Sequence, residues 1–428
     1  MSRDRARFLE AADRIGSRLC RDALWAGRSC NWLGGSLDSS TGTPVYRAQG
    51  PSPSNRLAGT CLYEGTAGIA LFLARLFGFA RDAIHKCTLE GALNQVLDQL
   101  RSSGELPDIG SYTGLAGIAH TLIEAGEILE HDGLVQRGIN ELLGLRHIKP
   151  APENVSVING SAGVIPILID VAARFGRGEL IEAAVLHGDH LLGVAAKSDD
   201  GWSWTTNARW VRNLTGQSHG VAGIAWSLLE LHATTGDERF RHGAREALRY
   251  ERRHFDAERR NWPDFRKLDK SGSWHEPRFA TAWCHGAPGI GISRLRVREL
   301  LSDDGEIVTE IEAAIETTRV SLLEPNNFSL CHGHSGNADL LLLAADQLNR
   351  LDLRQAAETV GDFGIDRFSN TGIPWSCGVD TGWECPSLML GLAGIGYFYL
   401  RLYDSKTVPP VLITIPHRMS GRPDHTAA

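Results

Sequence analysis

Cys284-His285-Gly286 and Cys331-His332-Gly333 are two copies of one tripeptide, and each opens a Gly-x-x-Gly phrase. A related phrase, Ser218-His219-Gly220, precedes them. In a repeat protein, equivalent positions can converge on one point although they lie far apart in sequence. Two cysteines and one histidine make the three-ligand set of a catalytic zinc with an open fourth position, not that of a closed structural site. Zn²⁺ suits thiolate and imidazole donors and lowers the pKa of whatever occupies the open position. A substrate thiol there loses its proton near neutral pH and can attack an electrophile. Spacing alone leaves two matters open: whether His285 or His332 completes the set, and whether His219 is a ligand or an acid–base group. The competing reading of the cysteines is that they are small buried hydrophobes.

The elements that position these residues follow from the same phrase. Gly-x-x-Gly occurs in step seven times, at Gly65/Gly68, Gly114/Gly117, Gly160/Gly163, Gly220/Gly223, Gly286/Gly289, Gly333/Gly336 and Gly391/Gly394. The separations of 49, 46, 60, 66, 47 and 58 residues mark an array or closed ring. Each copy is followed by an apolar run of helical length, such as IAWSLLELHATTG after Gly223. A run that is apolar nearly all round predicts a buried helix. More charged helical patterns, such as 181–197 and 240–255, predict a second, exposed helix per repeat. The glycines answer to crowding at the helix starts and to unusual backbone angles there.

Three stretches break the array. Residues 34–58 are rich in Gly, Ser and Pro and predict a long loop. Residues 198–217 and 252–282 are insertions carrying Trp, Arg and Asp, placed where they could shape a substrate entrance. Residues 405–428 read as a poorly ordered tail, with strand-like alternation only in VLITI (411–415). Trp202, Trp204 and Trp210 could grip a peptide or simply pack their insertion. Cys377 and Cys385 read as free thiols, Cys20, Cys30, Cys61 and Cys87 as core or surface residues, and His334 as a cavity-lining side chain. His187, His190 and His242 fall in charged helical patterns and read as solvated.

Composition narrows the class. A net charge of −7 gives no footing for nucleic acid or anionic lipid. Eight cysteines in 428 residues are too sparse for a disulfide scaffold. Neither a signal core nor an apolar run of membrane-spanning length is present, and a cytoplasmic setting is expected. Length alone predicts two or three domains, whereas the repeat predicts one. With no Gly-x-Ser-x-Gly elbow and no Walker phosphate loop, ATP use has no support.

The phrases SHGVAGIAWSLLEL (218–231), AWCHGAPGIGISRL (282–295), LCHGHSGNADLLL (330–342) and CPSLMLGLAGIGYFYLRL (385–402) resemble the lanthionine-synthetase C-like cyclase family. The likeness is nearest to the cyclase portion of class II lanthipeptide synthetases, and it covers nearly the whole chain. The resemblance implies an all-α fold, an α/α toroid of seven inner and seven outer helices, formed by residues 1–428 as one domain. It implies one zinc ion held by Cys284, Cys331 and His332, with His219 as catalytic acid/base. The implied reaction adds a cysteine thiol to dehydroalanine or dehydrobutyrine of a precursor peptide, leaving a thioether ring. The implied partners are the dehydrated precursor peptide and, since the chain begins at the cyclase portion, a separate dehydratase; neither nucleic acid nor membrane is expected. Two departures stand out. The family's usual Asp, four residues before the first glycine of copy three, is Ser156, with Glu153 and Asn159 as neighbours that could compensate. An Arg that some members carry before the first zinc cysteine is Ala280, with Arg278 nearby. Alternative readings are addition of glutathione to dehydrated peptides, or a non-catalytic toroid that binds a peptide or a dehydratase.

Overall fold

The computed structural model describes residues 5–34, 57–102, 108–207, 210, 212–266, 277–379 and 384–418. Most of the loop expected at 34–58 lies outside them. Helices and two short hairpins make up the regular structure. In chain order they are α1 (Ala6–Arg21), β1 (Leu24–Ala26), β2 (Ser29–Asn31), α2 (Thr66–Ala80), α3 (Ala83–Ser102), α4 (Leu115–Ile128), α5 (Asp132–Gly144), α6 (Ser161–Phe175), α7 (Gly178–Val194), β3 (Ala196–Ser198), β4 (Gly201–Ser203), α8 (Val221–Thr235), α9 (Glu238–Arg253), α10 (Ala287–Leu300), α11 (Ile307–Ser321), α12 (His334–Leu348), α13 (Leu351–Gly364) and α14 (Leu392–Tyr403). Each hairpin pairs its strands antiparallel, Trp25 opposite Cys30 and Lys197 opposite Trp202. Among the described residues no helix is long and apolar enough to cross a membrane.

The glycine phrases mark helix starts to the residue. Helices α2, α4, α6, α8, α10, α12 and α14 each begin directly after the first glycine of a copy. They are buried on nearly every side; in α8 every residue from Val221 to Leu231 is buried. The helices between them are amphipathic. In α9, Phe240, Gly243, Ala244, Ala247 and Leu248 form the buried stripe, at the spacing of one helix face. Its N-cap is Asp237, which accepts from the Arg239 amide at 2.9 Å.

The chain divides into two compact units. One comprises Met1–Pro107, Thr113–Ile139 and Glu324–Pro410. In it α3 packs on α2, α13 on α12 and α1 on α14, while α2 lies between α4 and α14. The other comprises Asp108–Tyr112, Asn140–Leu323 and Val411–Ala428. In it α7 packs on α6, α9 on α8 and α11 on α10, with α8 between α6 and α10.

The buried helices α2, α6, α8, α12 and α14 are each entered through a seven-residue turn that closes on itself. The first helical amide donates to a carbonyl seven residues upstream: Ser161 to Asn154 at 3.0 Å, Val221 to Leu214 at 3.1 Å, His334 to Asn327 at 2.8 Å and Leu392 to Cys385 at 2.8 Å. One otherwise unpaired donor of the helix N-terminus is satisfied in this way. The turns are then tied to one another by main-chain bonds between the residues two before each first glycine. In one unit Tyr112 N donates to Ile158 O, Ile158 N to Ser218 O and Ser218 N to Cys284 O, at 3.0, 3.3 and 3.4 Å. In the other, Cys331 N donates to Met389 O and Met389 N to Tyr63 O, both at 2.9 Å.

Close approach, more than unusual backbone angle, is what selects glycine here. Of the seven N-cap glycines only Gly286 has a positive φ, +92°; the others are extended. A Cβ on Gly336, however, would lie 1.9 Å from the Leu330 carbonyl oxygen, and one on Gly289 1.9 Å from that of Trp283.

The stretch read as a disordered tail is packed as far as His417. Val408, Leu412 and Ile413 are buried. Their surroundings are supplied by long polar side chains that seek carbonyls: Tyr397 Oη donates to Pro409 O at 2.9 Å, Tyr112 Oη to Val411 O at 2.7 Å and Trp283 Nε1 to Leu412 O at 2.9 Å. No strand forms at 411–415, and residues 419–428 lie outside the described ones.

Replacing Gly336 by Ala is expected to destabilise the protein by about 2 kcal/mol or more, because the new methyl meets backbone that cannot move aside. Gly193→Ala, within α7 and facing open space, is expected to stabilise by roughly 0.5 kcal/mol. Urea unfolding of the two variants checks both signs.

Candidate metal centre and its histidines

Cys331 and His332 sit on the turn before α12. Asn327 shapes that turn, its side-chain oxygen accepting the Ser329 amide at 2.9 Å. Ser329 Oγ in turn accepts the His332 amide at 3.3 Å, and Asn326 Nδ2 donates to His332 O at 3.2 Å. The Cys331 sulfur is buried and accepts a hydrogen bond from Tyr63 Oη at 2.9 Å. Gly378 passes so close that a Cβ there would stand 2.9 Å from His332 Nε2. His334, two residues on, is buried at the start of α12 and packs edge-on against Phe328, with ring centroids 5.4 Å apart. Burial lowers its proton affinity.

Cys284 sits on the turn before α10, which is built differently. Asn261, from the preceding insertion, is wedged into it: its Nδ2 donates to Ala280 O at 3.0 Å and its Oδ1 accepts Ala287 N at 2.8 Å. This side chain takes the place of the direct seven-residue bond seen before α2, α6, α8, α12 and α14. Thr281 and Gly286 close the turn as an antiparallel bridge. The neighbouring turn is locked onto it, since Ser218 Oγ donates to Cys284 O at 2.9 Å.

Of the sequence-derived metal candidates, Cys284, Cys331 and His332 each offer one donor atom, and these atoms lie within 4.8 Å of one another. His285 and His219 are not part of this group. Two sulfurs and one imidazole nitrogen match the chemistry of a borderline-soft ion that keeps a fourth position for substrate. None of the eight cysteines forms a disulfide. Cys377 and Cys385 are buried side by side, the Cys385 amide donating to Cys377 Sγ at 3.4 Å.

His219 lies on the turn before α8. Its ring stacks near His285 at a centroid distance of 6.2 Å, and Trp210 approaches edge-on, also at 6.2 Å. Burial lowers the His219 pKa to about 4; the Arg266 guanidinium adds to the effect and the Asp264 carboxylate opposes it. His285 is also driven well below its ordinary value, first by burial and then by Arg266. Both rings are therefore neutral at pH 7. Of the three tryptophans singled out in the sequence, only Trp210 meets a site histidine among the described contacts. Trp204 is core and donates to Leu191 O at 2.7 Å, while Trp202 packs under Lys197 and against His242.

Two groups near the histidines carry no repeat signature. Buried Asp264 and half-buried Arg266 form an ion pair, with Nη2 to Oδ2 at 2.8 Å and Nε to Oδ1 at 3.0 Å. Asp264 Oδ1 lies 4.0 Å from His285 Nδ1. They belong to the Trp/Arg/Asp-rich insertion, and that composition was the one available signal. Arg278 is instead exposed and offers its carbonyl to the Asp264 amide. Glu153 is exposed too, while Ser156 is fully buried and spent on its own turn, its Oγ donating to Asn159 Oδ1 at 2.6 Å. Further back, buried Glu251 accepts the Gly216 amide at 2.8 Å and Arg294 at 2.6 Å, and Arg294 reaches Glu310 at 2.6 Å. This charged core braces the His219 turn from behind.

His187 corrects the expectation of a solvated side chain. It is buried, bonded through Nδ1 to Ser161 Oγ at 2.9 Å, and burial takes its pKa to about 4. His190 is half-buried and also lowered by burial, while His242 is exposed as expected. In the unfolded chain each histidine titrates near 6.5. Between pH 6.5 and 4 the unfolded state therefore binds more protons, so stability is full above about 6.5 and is lost as pH falls toward 4. Each of His187 and His219 is expected to contribute a slope of up to roughly 1.4 kcal/mol per pH unit. His187→Gln should flatten the slope by one proton in urea titrations run from pH 7 to pH 4.5.

Comparison with known proteins places the chain. The family model described as lanthionine synthetase C-like protein matches residues 58–413. Among curated proteins, the lacticin 481/lactococcin biosynthesis protein LcnDR2 of Lactococcus lactis subsp. lactis is 23% identical over 360 residues, covering 81% of this chain. The chain spans only 36% of that relative's length. The nisin biosynthesis protein NisC of the same organism is 24% identical over 313 residues, covering 67% of this chain and 74% of NisC. Among solved structures, nisin cyclase aligns with a TM-score of 0.62 at 18% identity, over 81% of this chain and 89% of its own. The fold is thus all-α and of the α/α toroid class, as the glycine repeat and the family resemblance led one to expect. With this fold, and with a family match running from Ala58 to Ile413, the chain belongs to the lanthionine synthetase C-like family.

Proposed function

We propose that this chain is a zinc-dependent peptide cyclase, acting on a ribosomally made precursor whose serines and threonines have been dehydrated by a separate protein. The observation that carries the reading is the group of Cys284, Cys331 and His332 with donor atoms inside 4.8 Å, in a chain of this family. When bound there, zinc supplies Lewis acidity that lets a cysteine thiol of the peptide ionise near neutral pH. The rest falls to the protein. The buried Cys331 sulfur receives the Tyr63 hydroxyl, which fixes its orientation. His219, neutral at pH 7, is in the form that accepts the thiol proton.

The reaction balances without an external partner. The thiol sulfur bonds to the β-carbon of dehydroalanine or dehydrobutyrine, the π bond opens toward the α-carbon, and the α-carbon takes a proton. His219 is suited to carry that proton from sulfur to carbon. Its lowered proton affinity makes the protonated ring a strong donor for the second transfer. Holding both reacting groups of one peptide together adds the advantage of proximity.

The purified protein is expected to hold about one zinc per chain, and the Cys331→Ala variant to hold none while remaining folded. With a dehydrated precursor peptide, the wild type should remove free thiols while leaving the peptide mass unchanged. His219→Ala should slow that loss by roughly 10²–10⁴-fold at unchanged zinc content. A mass increase in the presence of glutathione would instead identify intermolecular addition. A folded, metal-free wild type would leave a peptide-binding toroid as the better account.

A further inference from the structure

Tyr63 and Cys331 occupy the same column of the array, each two residues before the first glycine of its copy. Met389 lies between them in the row of turns: its amide donates to Tyr63 O and its carbonyl accepts Cys331 N, both at 2.9 Å. The Tyr63 side chain spans that intervening rung, and its Oη donates to Cys331 Sγ at 2.9 Å. Two other buried sulfur contacts are longer, Cys30 Sγ to Thr88 O and Cys385 N to Cys377 Sγ, both at 3.4 Å. Tyr63 and Cys331 are 4% and 3% exposed, so water does not compete for the sulfur. The column alone does not dictate this contact. Tyr112 fills the same place in copy two, and its hydroxyl goes to Val411 O at 2.7 Å instead.

The chemistry proposed for the site gives this hydrogen bond a consequence. A thiolate that serves as a metal ligand remains a nucleophile, and the peptide of the proposed reaction carries an olefin that thiolates attack. Cys331 is thus a rival to the substrate's sulfur for the same electrophile. A hydrogen bond to an ionised acceptor is among the strong ones, and it draws electron density from the lone pairs that would attack carbon. We propose that Tyr63 is a positioning residue that sets selectivity: its hydroxyl keeps Cys331 a ligand and denies it the role of nucleophile. The suppressed side reaction bonds the Cys331 sulfur to the β-carbon of a dehydroalanine. The double bond opens toward the α-carbon, which takes a proton from water. Protein and peptide end joined by a thioether, and the ligand set loses one thiolate charge.

The biological meaning of this guard rests on the cyclase reading above; the guard itself is measurable without turnover. The experiment exposes full-length wild type and Tyr63→Phe, both in excess zinc, to N-ethylmaleimide, a Michael acceptor like the dehydrated residues. Peptide mass mapping follows the adduct at Cys331, with Cys284 as the reference within each sample. Tyr63→Phe keeps the ring and its packing, and it is expected to raise the Cys331-to-Cys284 alkylation ratio by about ten-fold. Tyr397→Phe, which removes a buried phenol bonded to Pro409 O, should leave the ratio as in wild type. If Tyr63→Phe does not fold, protein made with fluorotyrosine decides the matter: the stronger donor should lower the ratio, and no fall overturns the proposal. An unchanged ratio in folded Tyr63→Phe overturns it, as does an equal rise in Tyr397→Phe, which marks general loosening. Cys331 that resists the reagent in every protein compared overturns it too, because burial alone then protects the sulfur. So does a folded Tyr63→Phe that takes up no zinc, since the hydroxyl then serves binding and not selectivity. With the dehydrated precursor peptide, Tyr63→Phe is expected to accumulate a covalent protein–peptide adduct at Cys331 that wild type does not form. A wild type that holds zinc yet never cyclises the peptide defeats the cyclase reading and leaves the maleimide result standing.

Discussion

The row of main-chain hydrogen bonds linking successive turns is the constraint on which the chemistry depends. Each bond joins the residue two before one N-cap glycine to its counterpart in a neighbouring turn. Glycine is required because the turns approach within contact of backbone carbonyls, as at Gly289 and Gly336. Burial of the following helix makes the row rigid, since helices such as α8 have no solvent face on which to slide. A cysteine or histidine placed beside this row has its Cα fixed before any ligand arrives. A metal centre built so gains from preorganisation, which limits the reorganisation needed when an ion binds.

Around the histidines the dominant effect is loss of water. Burial is the leading cause of the lowered pKa of His219, His285, His187 and His334 alike. At His219 and His285 the charges of Arg266 and Asp264 modulate this, and at His187 the neighbouring His190 adds to it. The braced core behind them works under different rules. Arg294 is wholly buried between Glu251 and Glu310, and breaking such a pair by removing one partner leaves an uncompensated charge. Rigidity at the front of the site is thus backed by an ionic group that tolerates no partial removal.

Much of this was legible in the sequence, for a physical reason. Close backbone contact leaves glycine as the only fitting residue, so the helix starts and the equivalence of Cys284 and Cys331 could be read from spacing. Asp264 and Arg266 were not legible, because they belong to no repeat and reach the site through Asn261, Trp262 and Pro263. His187 was misread although its signal was present. Leu180, Ala184, His187 and Leu191 recur at the spacing of one helix face, and that face is the buried one. The segment after Tyr403 has no periodicity to read. Its carbonyls take donors from Tyr397 of α14 and from Tyr112 and Trp283, the last two far away in sequence.

The row of turn-to-turn bonds uses main-chain atoms alone, and this has a consequence for what such a scaffold can become. Ile158, Ser218 and Cys284 occupy equivalent rungs in one unit, and Cys331, Met389 and Tyr63 do so in the other. An alkyl group, a hydroxyl, thiols, a thioether and a phenol are accepted at the same kind of place. Structural duty and chemical duty are therefore written in separate alphabets, one in amides and carbonyls, the other in side chains. A rung can be respelled without renegotiating the frame. The same ring of helices can be turned to new reactions by exchanging a handful of letters beside its glycines.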